Sequence, residues 1–338
     1  MSSQIAAVLL TDSRIVVQRS TGWTLFDRQG KHIAEGPEGR APITLDPGRR
    51  IFYALGGGNM LTAFGLAAGD RRFRLPLGYN ESFAWPVIHR IGARLVVAGV
   101  EQPMVSSKTH APAHSLFQVI QIGTPVKLSP YQVLLSIDLQ QDLLFNDARM
   151  IPVAAGDILW AVLPDLLVRT SVAQTVDGAY ADSFRAVSAS VDEAGWLHLV
   201  VAPGNAADAP RELWIVTPDG QRTVRTVVAT GYGESNIPPA IGYDHRVYLR
   251  TSRSVAAYSP HGALLWEART TADIAGLAVT PDGRVVIAAG IDLFVADGRG
   301  HLAHLATLPG VATTAPVVAS DGEIVVGAGG AVLSLAAH

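Results

Sequence analysis

The chain contains no cysteine, which excludes disulfides, thiolate metal sites and a cysteine nucleophile. Charge is also scarce: 16% of residues are Asp, Glu, Lys or Arg, the net charge is -3 and the isoelectric point is near 6.4. No Lys/Arg-rich run is present to neutralise a row of phosphates, so nucleic acid is not expected as a partner. No stretch approaches the roughly 18 uninterrupted apolar residues that a bilayer-spanning helix needs, and no membrane association is expected. Residues 1–10 carry no positive leader, and their apolar run is too short for a signal-peptide core. A soluble, cytoplasmic protein is the expectation.

What the chain does have is turn-forming and apolar residues, with Gly 33, Pro 20 and 49% hydrophobic residues over 338 positions. That composition suits a globular chain rich in tight turns around a large core. A unit recurs with a variable period near roughly 40 residues. Its clearest copy is 276–310: the apolar run Leu277-Ala278-Val279, the turn Pro281-Asp282-Gly283, a strand over 284–289, Leu293-Phe294-Val295, a Gly298-Arg299-Gly300 turn and a last strand over 301–308. The copy before it runs through Arg246-Val247-Tyr248-Leu249, then 255–258, then the turn Pro260-His261-Gly262 and a strand over 263–267. Both predict four strands joined by tight turns.

The first turn of each unit serves as a marker and falls at Asp12, Asp46, Gly92, Gly156, Asp192, Asp244, Asp282 and Asp321. Prolines at Pro42, Pro86, Pro152, Pro239 and Pro316 open the first strand in several units, a position where no ladder N–H is needed. Four-stranded sheets repeated in this way bury both faces only by stacking around a ring. The predicted fold is therefore all-β: a single β-propeller over 1–338, with eight four-stranded blades favoured over seven. Residues 101–131 are expected to form one loop insertion within an irregular central blade. At the C-terminal unit, either the outer strand is missing or the N-terminal strand completes the blade.

The run Val247-Tyr248-Leu249, Val255-Ala256-Ala257-Tyr258 and Gly262-Ala263-Leu264-Leu265-Trp266 resembles a repeat of the pyrroloquinoline-quinone-type, or quinoprotein-like, propeller superfamily, with Trp266 matching its docking tryptophan. The resemblance is good over 236–267, fair over 277–338 and weak before 185. It implies the architecture and not the cofactor, because the vicinal cysteine pair and the acidic and amide calcium set of the quinone enzymes have no match. No cofactor is expected, and non-catalytic relatives in that superfamily act as assembly platforms.

One local motif recurs in phase: Tyr79-Asn80-Glu81-Ser82, Tyr180-Ala181-Asp182-Ser183 and Tyr232-Gly233-Glu234-Ser235. Each copy falls between the outer strand of one unit and the inner strand of the next, so three acids and three tyrosines could ring the channel mouth. Such a ring suits a cation, a sugar or a basic peptide. The plainer alternative is that acid and serine cap backbone amides in a tight connection.

His110 and His114, with Lys108, lie in the long loop and are candidate partner contacts. His301 and His304 are read as surface residues of an outer strand, because a spacing of three points side chains to opposite faces of a strand. No metal site is expected. Trp23, Trp85, Trp160, Trp196 and Trp214 are expected to pack between blades. The glycine clusters at 56–59 and 327–330 open no helix and read as hairpin turns.

Together these features favour a non-catalytic scaffold for another protein in a bacterial assembly. The alternative is a small-molecule or cation-binding enzyme of lyase or lactonase type, with Glu81, Asp182 and Glu234 at the channel mouth.

Overall fold

In a computed structural model of the chain the described residues are 5–11, 13–38, 43–56, 60–76, 82–91, 94–102, 116–122, 132–138, 151–155, 158–163, 166–171, 174–180, 184–203, 210–228 and 238–335. Within 82–185 the side chains are described only for Ile88, Leu95, Val97, Ile158, Trp160, Val162 and Arg169.

These residues form eight antiparallel sheets, each a meander in chain order. Blade 1 holds β1 (Ile5–Leu10), β2 (Arg14–Arg19), β3 (Gly22–Asp27) and β4 (His32–Gly36). Blade 2 holds β5 (Thr44–Asp46), β6 (Ile51–Gly56), β7 (Met60–Gly65) and β8 (Arg71–Pro76). Blade 3 holds β9 (Ser82–Ile91), β10 (Arg94–Gln102), β11 (Leu116–Ile122) and β12 (Gln132–Asp138), and blade 4 holds β13 (Ile151–Ala155), β14 (Ile158–Leu163), β15 (Leu166–Ser171) and β16 (Gln174–Tyr180). Blade 5 holds β17 (Phe184–Val191), β18 (Leu197–Pro203), β19 (Glu212–Val216) and β20 (Arg222–Val227), and blade 6 holds β21 (Ala240–Ile241), β22 (Val247–Arg250), β23 (Ser254–Tyr258) and β24 (Leu264–Arg269). Blade 7 holds β25 (Ile274–Val279), β26 (Val285–Ala289), β27 (Asp292–Ala296) and β28 (Leu302–Thr307). Blade 8 has three strands, β29 (Val317–Val318), β30 (Ile324–Ala328) and β31 (Ala331–Leu335).

From blade 2 to blade 8 the first strands of successive blades adjoin one another, and β1 lies against β29 and β30, while blades 1 and 2 share a core that includes Trp23 and Phe52. The ring is thus a closed eight-bladed β-propeller. Among the described residues it closes by packing of side chains: Ile5, Val8, Ile15 and Val17 of blade 1 bury against Val325 of blade 8. Of the two arrangements considered for the C-terminal unit, the described residues show the one without an outer strand.

The second strand of a blade is covered on both faces, which is why it reads as an unbroken apolar run. Val285-Val286-Ile287-Ala288-Ala289 is buried throughout, with Ile287 on the seam to blade 6 and Val286 on the seam to blade 8. Fully burying one such aliphatic side chain stabilises by about 1.5–3 kcal/mol. A single turn hydrogen bond contributes about 1 kcal/mol net, so the seams hold the ring and the turns set its register.

Those turns are of one kind. In the first turn of blades 5, 7 and 8 and the last turn of blades 1, 5, 6 and 7, a five-residue loop ends with a glycine in the left-handed region followed by one ladder residue. Asp27, Asp192, Ser259 and Asp297 open such loops and accept the N–H of the residue four positions on. Tryptophans bridge neighbouring blades: a Cβ at Gly300 of blade 7 would meet the Trp266 ring at 2.9 Å, and Trp160 Nε1 of blade 4 donates to Gly195 O of blade 5 at 3.2 Å.

Two expectations need correction. Residues 101–131 are not one insertion, because Leu116-Phe117-Gln118-Val119-Ile120-Gln121-Ile122 pairs with both β10 and β12 as an ordinary third strand. The segment is two connections, 103–115 and 123–131, on either side of β11. Pro86 does not open its strand either; it lies inside β9, where the ladder to β10 skips between Ala98 and Val100, a bulge that excuses it from donating.

Candidate functional site

Antiparallel meanders put the first and third turns of every blade on one face of the disc, the turn face, and the second turns and inter-blade connections on the other. Most of the residues singled out in the sequence fall on connections outside the described set: Tyr79, Glu81, Asp182, Ser183, Tyr232, Glu234 and Ser235, and likewise Lys108, His110 and His114. For Ser82, which opens β9, and Tyr180, which ends β16, the backbone alone is described. His301 and His304 are exposed, and each pairs with an acid of its own blade, Asp297 at 3.0 Å and Asp292 at 3.1 Å. Among the described residues no cluster of three or more His, Asp or Glu is arranged to hold a metal.

One place where the described residues bring several titratable groups together is the seam between blades 5 and 6 on the turn face. The first turn of blade 5 begins at Asp192, whose Oδ1 accepts the Trp196 N–H at 2.9 Å. Its other oxygen, Oδ2, lies 3.3 Å from His198 Nε2 and 2.8 Å from His245 Nδ1. His198 follows in β18 and is buried, while His245 comes from the first turn of blade 6 and is half exposed. Burial raises the Asp192 carboxyl, but the hydrogen bonds from His198, His245 and the Trp196 amide outweigh it and hold its pKa at about 2.

His245 sits at φ 60, in the left-handed region. The equivalent turn position is Gly195 in blade 5, Gly283 in blade 7 and Gly322 in blade 8. A left-handed residue with a Cβ costs about 1–2 kcal/mol, and residues kept under such strain cluster where a side chain is needed in one place. Replacing His245 with glycine therefore removes the strain and the exposed hydrogen bond to Asp192 together. The His245→Gly protein should unfold at a denaturant midpoint corresponding to wild-type stability within about 1 kcal/mol.

His245 stands between two cavities. One, of about 260 Å³, has apolar walls from Trp196, Ile215, Val224 and Pro260 and imidazoles from His198, His245 and His261. The other, of about 470 Å³, is lined by Asp192, Glu193, Pro239, Tyr243 and His245. Nε2 of His198 is committed to Asp192, and its buried Nδ1 has no hydrogen-bond partner. Tyr243 of the larger cavity is exposed, as are Leu264 and Leu265 of β24. Two consecutive leucines face outward because the ladder between β23 and β24 skips there: Ala257 pairs with Trp266 and Tyr258 with Leu264, leaving Leu265 without a partner.

The arrangement is a fixed carboxylate holding two imidazoles beside an apolar hole. No hydroxyl nucleophile stands next to either ring among the described hydrogen bonds: the nearby Ser190 Oγ donates to Pro239 O at 2.6 Å. The cluster escaped the sequence because Asp192 was only a turn marker there. The available signal was His245 itself, the side chain that breaks an otherwise glycine-marked turn.

The architecture places the chain in the class of eight-bladed propellers. No protein-family model matches it and no curated protein matches its sequence. Solved structures do match over nearly their whole length. BamB from Moraxella catarrhalis is 11% identical at a TM-score of 0.66, covering 97% of this chain and 92% of its own. The computationally designed Ika8 protein is 13% identical at 0.66, covering 100% and 97%. The C-terminal WD40 domain of Sif2 is 13% identical at 0.65, covering 98% and 95%. These likenesses show the fold alone.

Proposed function

We propose that this propeller is a non-catalytic scaffold that docks another protein at the blade 5–blade 6 seam of its turn face, and that its blades are quinoprotein-like repeats that bind no cofactor. The observation that carries the proposal is the hole of about 260 Å³ with apolar walls, lined also by His198, whose buried Nδ1 has no hydrogen-bond partner, next to a second cavity lined by the exposed Tyr243. Interface hot spots have this form, a desolvated pocket that takes one large anchor side chain. An anchor that is mostly apolar with one polar atom suits such a hole, which describes tyrosine or tryptophan.

The docking site offers shape and hydrogen bonding, with few charges to steer association. Affinity purification from the native cells with wild type and with a Tyr243→Ala, His261→Ala double variant tests this. Both positions are on the surface, so the variant keeps its fold. A partner recovered in stoichiometric amount with wild type should be reduced at least tenfold with the double variant, roughly 1.4 kcal/mol or more of binding free energy. Undiminished recovery of that partner, or recovery of none with wild type, would contradict the proposal.

A further inference from the structure

Among the described residues, no strand pairs with the outer edge of the last strand of blade 8. In the other blades whose side chains are described, the third strand carries buried residues because a fourth strand covers it: Gly22–Asp27, Met60–Gly65, Glu212–Val216, Ser254–Tyr258 and Asp292–Ala296 all do. In β31, Ala331-Val332-Leu333-Ser334-Leu335, no residue is buried.

Its composition nevertheless suits a covered strand. Several outer strands here carry charges, as in Arg71-Arg72-Phe73-Arg74, Arg222-Thr223-Val224-Arg225 and Glu267-Ala268-Arg269, a common guard against unwanted pairing, although Leu302–Thr307 of blade 7 does not. β31 has no charge and no proline.

A groove of about 400 Å³ runs beside it, between Val332 and the blade 1 residues Ile15 and Phe26, with Arg28 at one side. Arg28 is already paired with Asp321 and Glu323. The sister blades show what fills this place. At the blade 2 seam it is Phe73 and Leu75 of the fourth strand, and at the blade 6 seam it is Trp266 and Ala268. Both pairs are spaced i, i+2, the period of a strand that turns one face inward. The seam between blades 8 and 1 has no such pair.

The backbone geometry is ready as well. Gly329 and Gly330 both have positive φ, and they join Ala328 to its partner Ala331, as in a two-residue hairpin turn of the primed type. Alternate residues of the next strand then point their N–H and C=O away from β30, and these are Val332 and Ser334.

We propose that β31 is a strand-addition site: an extended segment of a partner polypeptide pairs antiparallel to it as the fourth strand of blade 8. The segment has apolar side chains at two positions i and i+2 entering the groove over Ile15 and Phe26, and polar or charged side chains between them facing solvent. Main-chain pairing supplies affinity and the two inward positions supply selectivity. This site stands apart from the seam between blades 5 and 6.

The test uses the full chain and a synthetic peptide copying residues 259–269, the last turn and outer strand of blade 6, with amide hydrogen exchange read residue by residue. A control peptide has the same composition with the inward pair Trp266 and Ala268 each moved by one place. In the free protein Val332 and Ser334 should exchange quickly. Saturating peptide should slow both amides by about tenfold or more, while the control leaves them unchanged. Ser334→Pro removes an outward N–H without touching the β30 ladder and should abolish the effect while leaving exchange in blades 5 to 7 as it was. Val332 and Ser334 amides that are already protected in the free protein, no slowing at saturation, or equal slowing by the control would each overturn the proposal.

Discussion

Replacing Asp192 with alanine should cost about 3 kcal/mol of stability and remove a titration from the acid limb of unfolding. The carboxylate is nearly buried and joins three groups that cannot satisfy each other: the His198 ring, the His245 ring and the Trp196 amide. Leaving buried partners unsatisfied costs about 1–3 kcal/mol for each group, and His198 is buried with its other nitrogen already unpaired. The pH dependence follows from the direction of the shift. The pKa falls from 3.8 to about 2 on folding, so the ionised form stabilises the native state above about pH 4, and that stabilisation is lost as pH falls through about 2. The shift corresponds to about 2 kcal/mol. Denaturant titrations between pH 2 and 7 should show wild type losing this increment and Asp192→Ala lacking it; parallel curves for the two proteins would contradict the assignment.

The second large effect lies across the ring. Trp23→Ala should destabilise the protein by about 4 kcal/mol, within the range of about 3–5 for removing a buried Trp or Phe. Trp23 is 2% exposed and stands edge-on to Phe52 with centroids 4.8 Å apart, and tilted to Phe64 at 4.6 Å. Its ring closes the seam between blades 1 and 2, and the glycine opposite, Gly36, leaves no atom to refill the space, since a Cβ there would sit 2.7 Å from the indole. Neighbouring side chains cannot collapse into the hole without unstacking Phe52 from Phe64. Urea unfolding with an unchanged m-value and a lowered midpoint is the expected signature. A shift below about 1 kcal/mol would mean that the seam repacks.

The parts of the fold that were legible in the sequence are those where turn chemistry and strand length agree. In blade 7 the expected strands at 284–289 and 301–308 correspond to Val285–Ala289 and Leu302–Thr307, because Thr280-Pro281-Asp282-Gly283 and Asp297-Gly298-Arg299-Gly300 close loops that only one register satisfies. The described turn markers, Asp46, Asp192, Asp244, Asp282 and Asp321, stand at or between the first and second strands of their blades; Asp12, Gly92 and Gly156 lie outside the described residues. Blade 3 was misread because its third strand, Leu116–Ile122, is flanked by long connections without that turn chemistry, so an ordinary strand passed for part of a loop. Its place is decided by pairing with β10 and β12, which is a contact between distant residues and leaves no local mark.

The candidate site was less legible for the same reason. Asp192 and His198 sit in one hairpin, but His245 enters 53 residues later, and only the stacking of blade 6 on blade 5 makes the three a cluster. The hole beside them is likewise shared, with Trp196 and Ile215 from one blade and Pro260 and His261 from the next. Periodicity finds blades; it does not find what two blades make between them. What the sequence did carry was a histidine in a turn position that the sister blades give to glycine.

In the docking we propose, the seam organised by Asp192 is where this propeller meets its partner. The most direct measurement is photo-crosslinking in the native cells from a photoreactive residue placed at Tyr243, compared with one placed at His301, which is exposed on the same face but in blade 7. A single discrete adduct from position 243, with none from position 301, is the predicted result. Adducts of equal yield from both positions, or none from 243 while the protein is folded and expressed, would contradict it.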